Sequence, residues 1–561
     1  MNTPPLRSRE WFDTPELYGW TRRAAMLGMG METSNFEGRP IVGICNSWSE
    51  LTHCNAHLRS LAEAVKQGVW QAGGVPLEFP VMSLGEFNMR PTTMLFRNLM
   101  SMEVEESILA NPLDGVVLLG GCDKTTPALL MGAASADVPA ILVTGGPQLS
   151  AHWRGETLGS CTDCRRYHVE LRAGNITEND WLELQGGMIR SPGHCMTIGT
   201  ASTMATLGEA LGMSPPGNGA IPAADSRRSQ LATTAGRLIM NCIEQDLRPS
   251  KIMTLPAFEN AIRTLHALGG STNAIVHLIA IAGRLGLELP LSWFDELSRS
   301  TPLLLNLKPS GEFLMEDFCY AGGGPALLKE LSPLLHCDCP TVTGKTLGEN
   351  IAAARNDNPH VIYPFDSPLA PDGGLVALTG SLAPGGAIIK RSAASADLMQ
   401  HRGRAVVFED HQDLLARIDD PDLDVVPEDI LVMKNGGPLG GPGMPEWGLL
   451  PIPKKILAQG VRDMLRISDA RISGTAFGTV VVHITPETAA GGPLAAVQTG
   501  DQIELDVSQR RLDLLVEPQV IADRLREAPA APQVPSRGYR RLYAEHVLQA
   551  DRGCDFDFLV K

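Results

Sequence analysis

Gly115-Val-Val-Leu-Leu-Gly-Gly-Cys-Asp-Lys-Thr-Thr-Pro127 opens as a short, wholly apolar run and ends where a helix-like segment, Pro127 to Ala136, begins. An apolar run of this length bounded by glycines reads as a buried strand. The two glycines then loosen a strand-to-helix turn that carries a cysteine, a carboxylate and a lysine in succession. A turn with an inert buried thiol is the plainer account of Gly-Gly-Cys alone. The neighbouring segments decide between that account and a reactive cluster.

On the N-terminal side, Pro40 to Cys45 and Pro76 to Met82 read as further strands, and Ala140 to Val143 follows as a fourth. Between them, Asn55 to Gly73 has Leu58, Leu61, Ala62, Val65 and Val69 on one helical face. Arg97 to Ala110 is the next helix. Strands alternating with helices at this spacing predict a doubly wound parallel sheet. In such sheets ligands sit beyond the carboxyl ends of the strands. Cys54 follows the first strand, Glu86 the second, and Cys122, Asp123 and Lys124 the third, so all five can face one crevice.

Ser191-Pro-Gly-His-Cys-Met-Thr-Ile-Gly199 leads into a helix from Thr200 to Leu211, which gives Cys195 the same setting: a loop ending at a helix N-terminus. The positive end of a helix favours thiolate, the metal-binding form. Three such thiolates resemble neither a zinc ribbon nor a bacterial ferredoxin run. They are either iron–sulfur ligands that leave one position open or three independent core thiols. Cys161-Thr-Asp-Cys164 and Cys337-Asp-Cys339 lack the second pair that zinc spacing requires, and both read as structural.

From about 230 to 360 the chain is mostly helical, with glycine-rich turns at His266–Ala274 and Leu307–Phe313 that read as caps and close packing. Asn356 to Asp372 carries four prolines and is the best linker. Beyond it come short β runs: 375–378, 405–408, 430–433, 480–484 and a hairpin at 503–516 that alternates at period two. The expected fold is therefore α/β: a doubly wound parallel-sheet domain with helical additions over 1–360, then a β-barrel-like domain over 361–561. A C-terminal arm from 517 is expected to pack on another subunit. Two loops of the second domain carry polar groups. Gly436–Glu446 is too proline-rich for a phosphate loop, and its Glu446 can complete a metal site. Ile467–Phe477 sets Ser473 and Thr475 beside a glycine, without the histidine that a hydrolase nucleophile needs.

The whole composition narrows the function classes. The chain has 561 residues and a net charge of −16 with no compensating basic patch, which argues against nucleic acid and anionic membranes as partners. No apolar stretch is long enough to span a bilayer, and the N-terminus lacks a signal-peptide core. Eleven cysteines without disulfide-like spacing point to a reducing cytoplasm.

Taken in order, Thr52-His-Cys-Asn55, Gly121-Cys-Asp-Lys-Thr-Thr-Pro127, Gly193-His-Cys195, Ala267-Leu-Gly-Gly-Ser-Thr-Asn273, Leu307-Lys-Pro-Ser-Gly311, Thr341–Thr346, Gly437–Glu446 and Ser468-Asp-Ala-Arg-Ile-Ser-Gly474 resemble the dihydroxy-acid and 6-phosphogluconate dehydratase family. Gly85–Met94 and Asp114–Ala134 look like its sugar-acid branch, which acts on pentonates such as L-arabinonate. The resemblance implies a [2Fe-2S] cluster on Cys54, Cys122 and Cys195. It implies Mg²⁺ on Glu86, Asp123 and Glu446, joined by Lys124 if that residue is carbamylated; an unmodified Lys124 paired with Asp123 or with the substrate carboxylate is the alternative. Ser473 would be the base, with Thr475 near the substrate. The implied partners are a small hydroxy-acid substrate and further copies of the chain, as a homodimer or homotetramer. The rival activity within the family is dehydration of 2,3-dihydroxyisovalerate in branched-chain amino-acid synthesis.

Overall fold

A computed structural model describes residues 5–527 and 533–561. Its first sheet has four parallel strands, β1 (Ile41–Asn46), β2 (Val75–Pro80), β3 (Gly115–Gly120) and β4 (Ala140–Thr144), in the order β2-β1-β3-β4. Every residue of β1, β3 and β4 is buried, whereas β2, at the edge, alternates beyond its first two residues. Strands covered on both faces need apolar side chains at every position, which is why these segments read as unbroken runs.

The main helices of this half of the chain are α1 (Leu58–Gln71), α2 (Met94–Leu109), α3 (Thr125–Ala136), α4 (Ser160–Arg172), α5 (Thr200–Ala210), α6 (Ser226–Gln245), α7 (Leu255–Leu268) and α8 (Asn273–Gly283). Helices α1 and α6 pack together on one face, and α2 and α3 together on the other. The α1–α6 crossing depends on two glycines. A Cβ on Gly68 would stand 2.0 Å from the Thr233 carbonyl, and one on Gly236 would stand 2.2 Å from that of Val65. Helix α8 is buried along its whole length, as its all-round apolar sequence requires.

The second sheet has eight strands: β5 (Val376–Leu378), β6 (Gly386–Ile389), β7 (Gln400–Phe408), β8 (Ile430–Met433), β9 (Arg466–Ser468), β10 (Val480–Thr485), β11 (Gln502–Asp506) and β12 (Arg511–Leu514). Their order is β12-β11-β7-β8-β9-β10-β6-β5, with β7 to β10 mutually parallel. The two ends of the sheet meet at Thr379, which accepts from the Leu512 amide at 3.0 Å and donates to the Arg510 carbonyl at 2.9 Å. Those bonds close the sheet into a barrel and leave its end strands no free edge there. Period two sorts the side chains of β7: Ala405 and Val407 join the barrel core, while Val406 and Phe408 join an outer core with Leu414 and Ile456. Two barrel strands, β6 and β9, are absent from the sequence reading. Both are short: β6 is only Gly-Ala-Ile-Ile, and β9 contains Arg466 and Ser468.

Residues 538–561 pack on the first half of their own chain. The Tyr539 hydroxyl donates to the Leu95 carbonyl at 2.6 Å, and Arg97 donates to the carbonyls of Gly553 and Cys554 at 2.8 and 2.9 Å. Asp555 grips Arg284 at the end of α8 through two bonds of 2.6 and 3.0 Å, with both side chains fully buried. The aromatic residues that suggested an arm thus cover an intramolecular core of Leu95, Tyr543 and Phe556.

Removing one member of a buried ion pair costs more than the pair itself contributes, because the remaining charge stays desolvated. Asp555→Ala is therefore expected to destabilise the protein by about 3–5 kcal/mol. The change is read as a lowered urea midpoint, with residues 538–561 losing protection from hydrogen exchange first.

Candidate active site

The loops that leave the carboxyl ends of the two sets of parallel strands converge. From the first sheet, β1 leads to Cys54, in a single turn ahead of α1, and β3 leads to Cys122-Asp123-Lys124, ahead of α3. The loop after β4 holds Cys195 indirectly. Gly146 accepts from the His194 amide at 3.0 Å, and the Gln148 amide donates to the His194 carbonyl at 2.8 Å. From the barrel, β8 leads to Glu446 and the adjacent β9 leads to Ser473 and Thr475. All of these groups are buried or nearly so.

At the centre is the Lys124 ammonium, which is wholly buried. It lies 3.0 Å from Glu86 Oε2, 3.0 Å from Glu446 Oε1 and 3.4 Å from Asp123 Oδ2. Arg471 adds a second positive charge 3.2 Å from Glu446. Burial and Arg471 oppose the charge on Lys124, but the three carboxylates outweigh them and hold its pKa above the ordinary lysine value. Burial pushes Glu86 up, yet Lys124, Arg471 and the hydroxyls of Thr93 and Thr92 bring it down to about 2. Burial pushes the Asp123 carboxyl up, and the nearby Glu446 and Glu86 add to that effect against Lys124.

Asn273, at the first turn of α8, ties this cluster to the serine loop. Its amide nitrogen lies 3.3 Å from Glu446 Oε1, 3.1 Å from the Ile472 carbonyl and 3.0 Å from Thr200 Oγ1. Ser473 and Thr475 have their hydroxyl oxygens 2.9 Å apart. Between them, Gly474 presses on the start of α5, where a Cβ would stand 2.6 Å from the Thr200 nitrogen. Ser473 therefore belongs to a loop seated on a helix N-terminus, whose dipole favours negative charge nearby. Thr162 Oγ1, on α4, holds the loop from the other side by donating to the Thr475 carbonyl at 2.9 Å.

The thiols form two contacts. Cys54 has Cys122 as its sulfur neighbour, and Cys195 has Cys161 at 3.9 Å. Those sulfur contacts, followed by burial, raise the Cys54 and Cys195 thiols well above their ordinary value. Among the described residues, no three His, Cys, Asp or Glu side chains already converge as metal ligands do. The carboxylates are instead satisfied by the Lys124 ammonium.

Cys161-Thr-Asp-Cys164 is only partly the structural pair expected. Cys164 packs with Ala151 and Tyr167, but Cys161 sits beside Cys195. Sequence reasoning also missed Asn273 and Arg471 as members of the site, although both lie in motifs it had singled out.

This two-part assembly belongs to a dehydratase, a hydro-lyase that removes water from a hydroxylated substrate. More particularly, the chain belongs to the dihydroxy-acid/6-phosphogluconate dehydratase family, whose N-terminal domain matches residues 39–350 and whose C-terminal domain matches residues 360–554. It is 54% identical to an L-arabonate dehydratase of Azospirillum brasilense, over 99% of this chain and 97% of that protein. It is 52% identical to an L-arabinonate dehydratase of Rhizobium leguminosarum bv. trifolii, over 99% and 96% of the two chains. A dihydroxy-acid dehydratase of Ignicoccus hospitalis is 40% identical over 92% of this chain and 94% of its own. Among the described residues, no helix is long and apolar enough to cross a membrane.

Cys122 has a positive φ of 75°, a left-handed conformation that costs a residue with a Cβ about 1–2 kcal/mol. In the cofactor-free protein, Cys122→Gly should therefore be more stable than Cys122→Ala by about 1 kcal/mol, the reverse of the usual order. Urea midpoints of the two variants test this. Equal midpoints would mean that the turn is unstrained.

Proposed function

We propose that the protein dehydrates a 2,3-dihydroxy sugar acid, a pentonate such as L-arabinonate or a related hexonate, to the 2-keto-3-deoxy acid. The observation that carries this reading is the Cys122-Asp123-Lys124 turn, which has a soft sulfur donor on one side and hard oxygen donors on the other. The names of the relatives in Azospirillum and Rhizobium support a sugar acid as the substrate.

The donor sets fit two cofactors. Glu86, Asp123 and Glu446 are oxygen ligands of the kind Mg²⁺ takes, and the ammonium among them marks a place that favours positive charge. Carbamylated Lys124 would convert that ammonium into a further oxygen donor. Cys54, Cys122 and Cys195 would hold a [2Fe-2S] cluster, as soft thiolates do. When bound, the cluster supplies a Lewis-acidic iron for the leaving hydroxyl and Mg²⁺ supplies positive charge beside the substrate carboxylate.

The chain's own residues account for the proton. The hydrogen on C2 is barely acidic, because it is lost next to a carboxylate and leaves a second negative charge. Ser473 Oγ would take it, and an alkoxide there is favoured by the α5 N-terminus against which Gly474 is pressed. Thr475, 2.9 Å from Ser473, would orient that oxygen. Asn273 fixes the distance between base and carboxylates, since it bonds to Ile472 and to Glu446. Loss of the C3 hydroxyl leaves an enol that tautomerises to the 2-keto acid. We read the enzyme as a cytoplasmic homodimer or homotetramer, a reading supported by the exposed Leu17, Tyr18 and Trp20 on the helix Leu17–Gly28.

Two measurements test the proposal. Cofactor-loaded protein should form 2-keto acid from L-arabinonate or another aldonate faster than from 2,3-dihydroxyisovalerate. Activity on dihydroxyisovalerate alone would instead favour the branched-chain reading, which the likeness to the Ignicoccus enzyme supports. Ser473→Ala should keep the visible absorption of the cluster and lose at least about 100-fold in turnover, the usual contribution of a general base. Near-normal turnover would remove Ser473 from that role.

A further inference from the structure

The Cys161–Cys195 contact has no part in the chemistry proposed above. The two sulfurs are 3.9 Å apart, and a disulfide bond is about 2.05 Å long, so a modest side-chain rotation closes the gap. Exposure also separates this pair from the other two thiols. Cys161 and Cys195 are partly exposed, whereas Cys54 and Cys122 are buried. Cys161 is held in place as well. It lies in the first turn of α4, which Thr162 anchors to the Thr475 carbonyl and Asp163 to Lys308 at 2.7 Å. Its near neighbour Cys164 is engaged in a separate apolar cluster with Ala151, Tyr167 and Leu184.

We propose that Cys161 and Cys195 form a reversible disulfide in the cluster-free chain, and that this bond withholds Cys195 from cluster loading until a thiol reduces it. The oxidant is a low-molecular-weight disulfide, RSSR. The Cys161 thiolate attacks one of its sulfurs, forming a mixed disulfide and releasing RS⁻. The Cys195 thiolate then attacks the Cys161 sulfur, forming the protein disulfide and releasing the second RS⁻. In sum, two protein thiols lose two electrons and two protons, and RSSR becomes two RSH. The bond also shields Cys195 from further, irreversible oxidation while the cluster is absent. The pairing stands on the contact itself. Its effect on loading rests on the reading of Cys195 as a cluster ligand.

The test treats full-length, cluster-free protein with oxidised glutathione and maps peptides without reduction. Two thiols should disappear, and a peptide containing Cys161 should appear linked to one containing Cys195. Cys161 and Cys164 share a tryptic peptide, so the link must persist in Cys164→Ser and vanish in Cys161→Ser. No link, or a bond between Cys161 and Cys164, overturns the pairing. Oxidised protein supplied with iron and sulfide should then develop no visible absorption until dithiothreitol is added, whereas Cys161→Ser given the same glutathione treatment and then a brief exchange with a monothiol should load fully. Equal loading of oxidised and reduced wild-type protein overturns the withholding step. Normal cluster absorption in Cys195→Ser would instead refute the ligand reading and leave the disulfide standing.

Discussion

The buried ammonium of Lys124 and its three carboxylates are the constraint on which the two halves of the chain depend. An ammonium removed from water costs several kcal/mol even after relaxation, and an unpaired carboxylate costs a similar amount. Glu86 and Asp123 come from the first sheet with Lys124, but Glu446 comes from the barrel. The first half alone carries one excess negative charge, and Glu446 from the barrel gives the buried ammonium a further carboxylate. Docking the barrel brings in Glu446 together with Arg471, so the group closes with three negative and two positive charges. The excess negative charge is the electrostatic reason for a cation to be favoured there.

Parallel strands explain how so many polar groups reach one place without distorting the cores. All four strands of the first sheet and four neighbouring strands of the barrel end at loops, and the loops that carry chemistry leave from those ends. Two rigid sheets thus meet with their carboxyl ends toward each other. Small residues then set the distances: Gly474 lets the serine loop touch α5, and the positive φ of Cys122 makes the tight turn that carries Asp123 and Lys124.

The first sheet was legible because burial on both faces writes itself as continuous apolar runs, as in Gly115–Leu119. The alternating hairpin at 503–516 made the barrel legible in outline. Its strands β6 and β9 were not, since a three- or four-residue strand held by its neighbours needs no apolar pattern of its own. Positions of Cys54, Glu86, Cys122, Asp123 and Lys124 beyond strand ends followed from the topology. The resemblance to a known family added the roles. What stayed hidden were contacts between residues far apart in sequence: Asn273 with Glu446 and Ile472, Cys161 with Cys195, and Arg284 with Asp555. No periodicity records such pairs, because each partner looks locally like a cap, a stray thiol or a surface charge.

The same ion cluster bears on how Lys124 can serve as a metal ligand at all. Carbamylation requires the neutral amine, yet the three carboxylates hold Lys124 in its charged form. The neutral amine is therefore disfavoured while those carboxylates have no other counter-charge. A divalent cation among Glu86, Asp123 and Glu446 would replace the ammonium as that counter-charge and would release the proton. On the proposed reading, cation entry and carbamylation of Lys124 are then linked equilibria, each favouring the other.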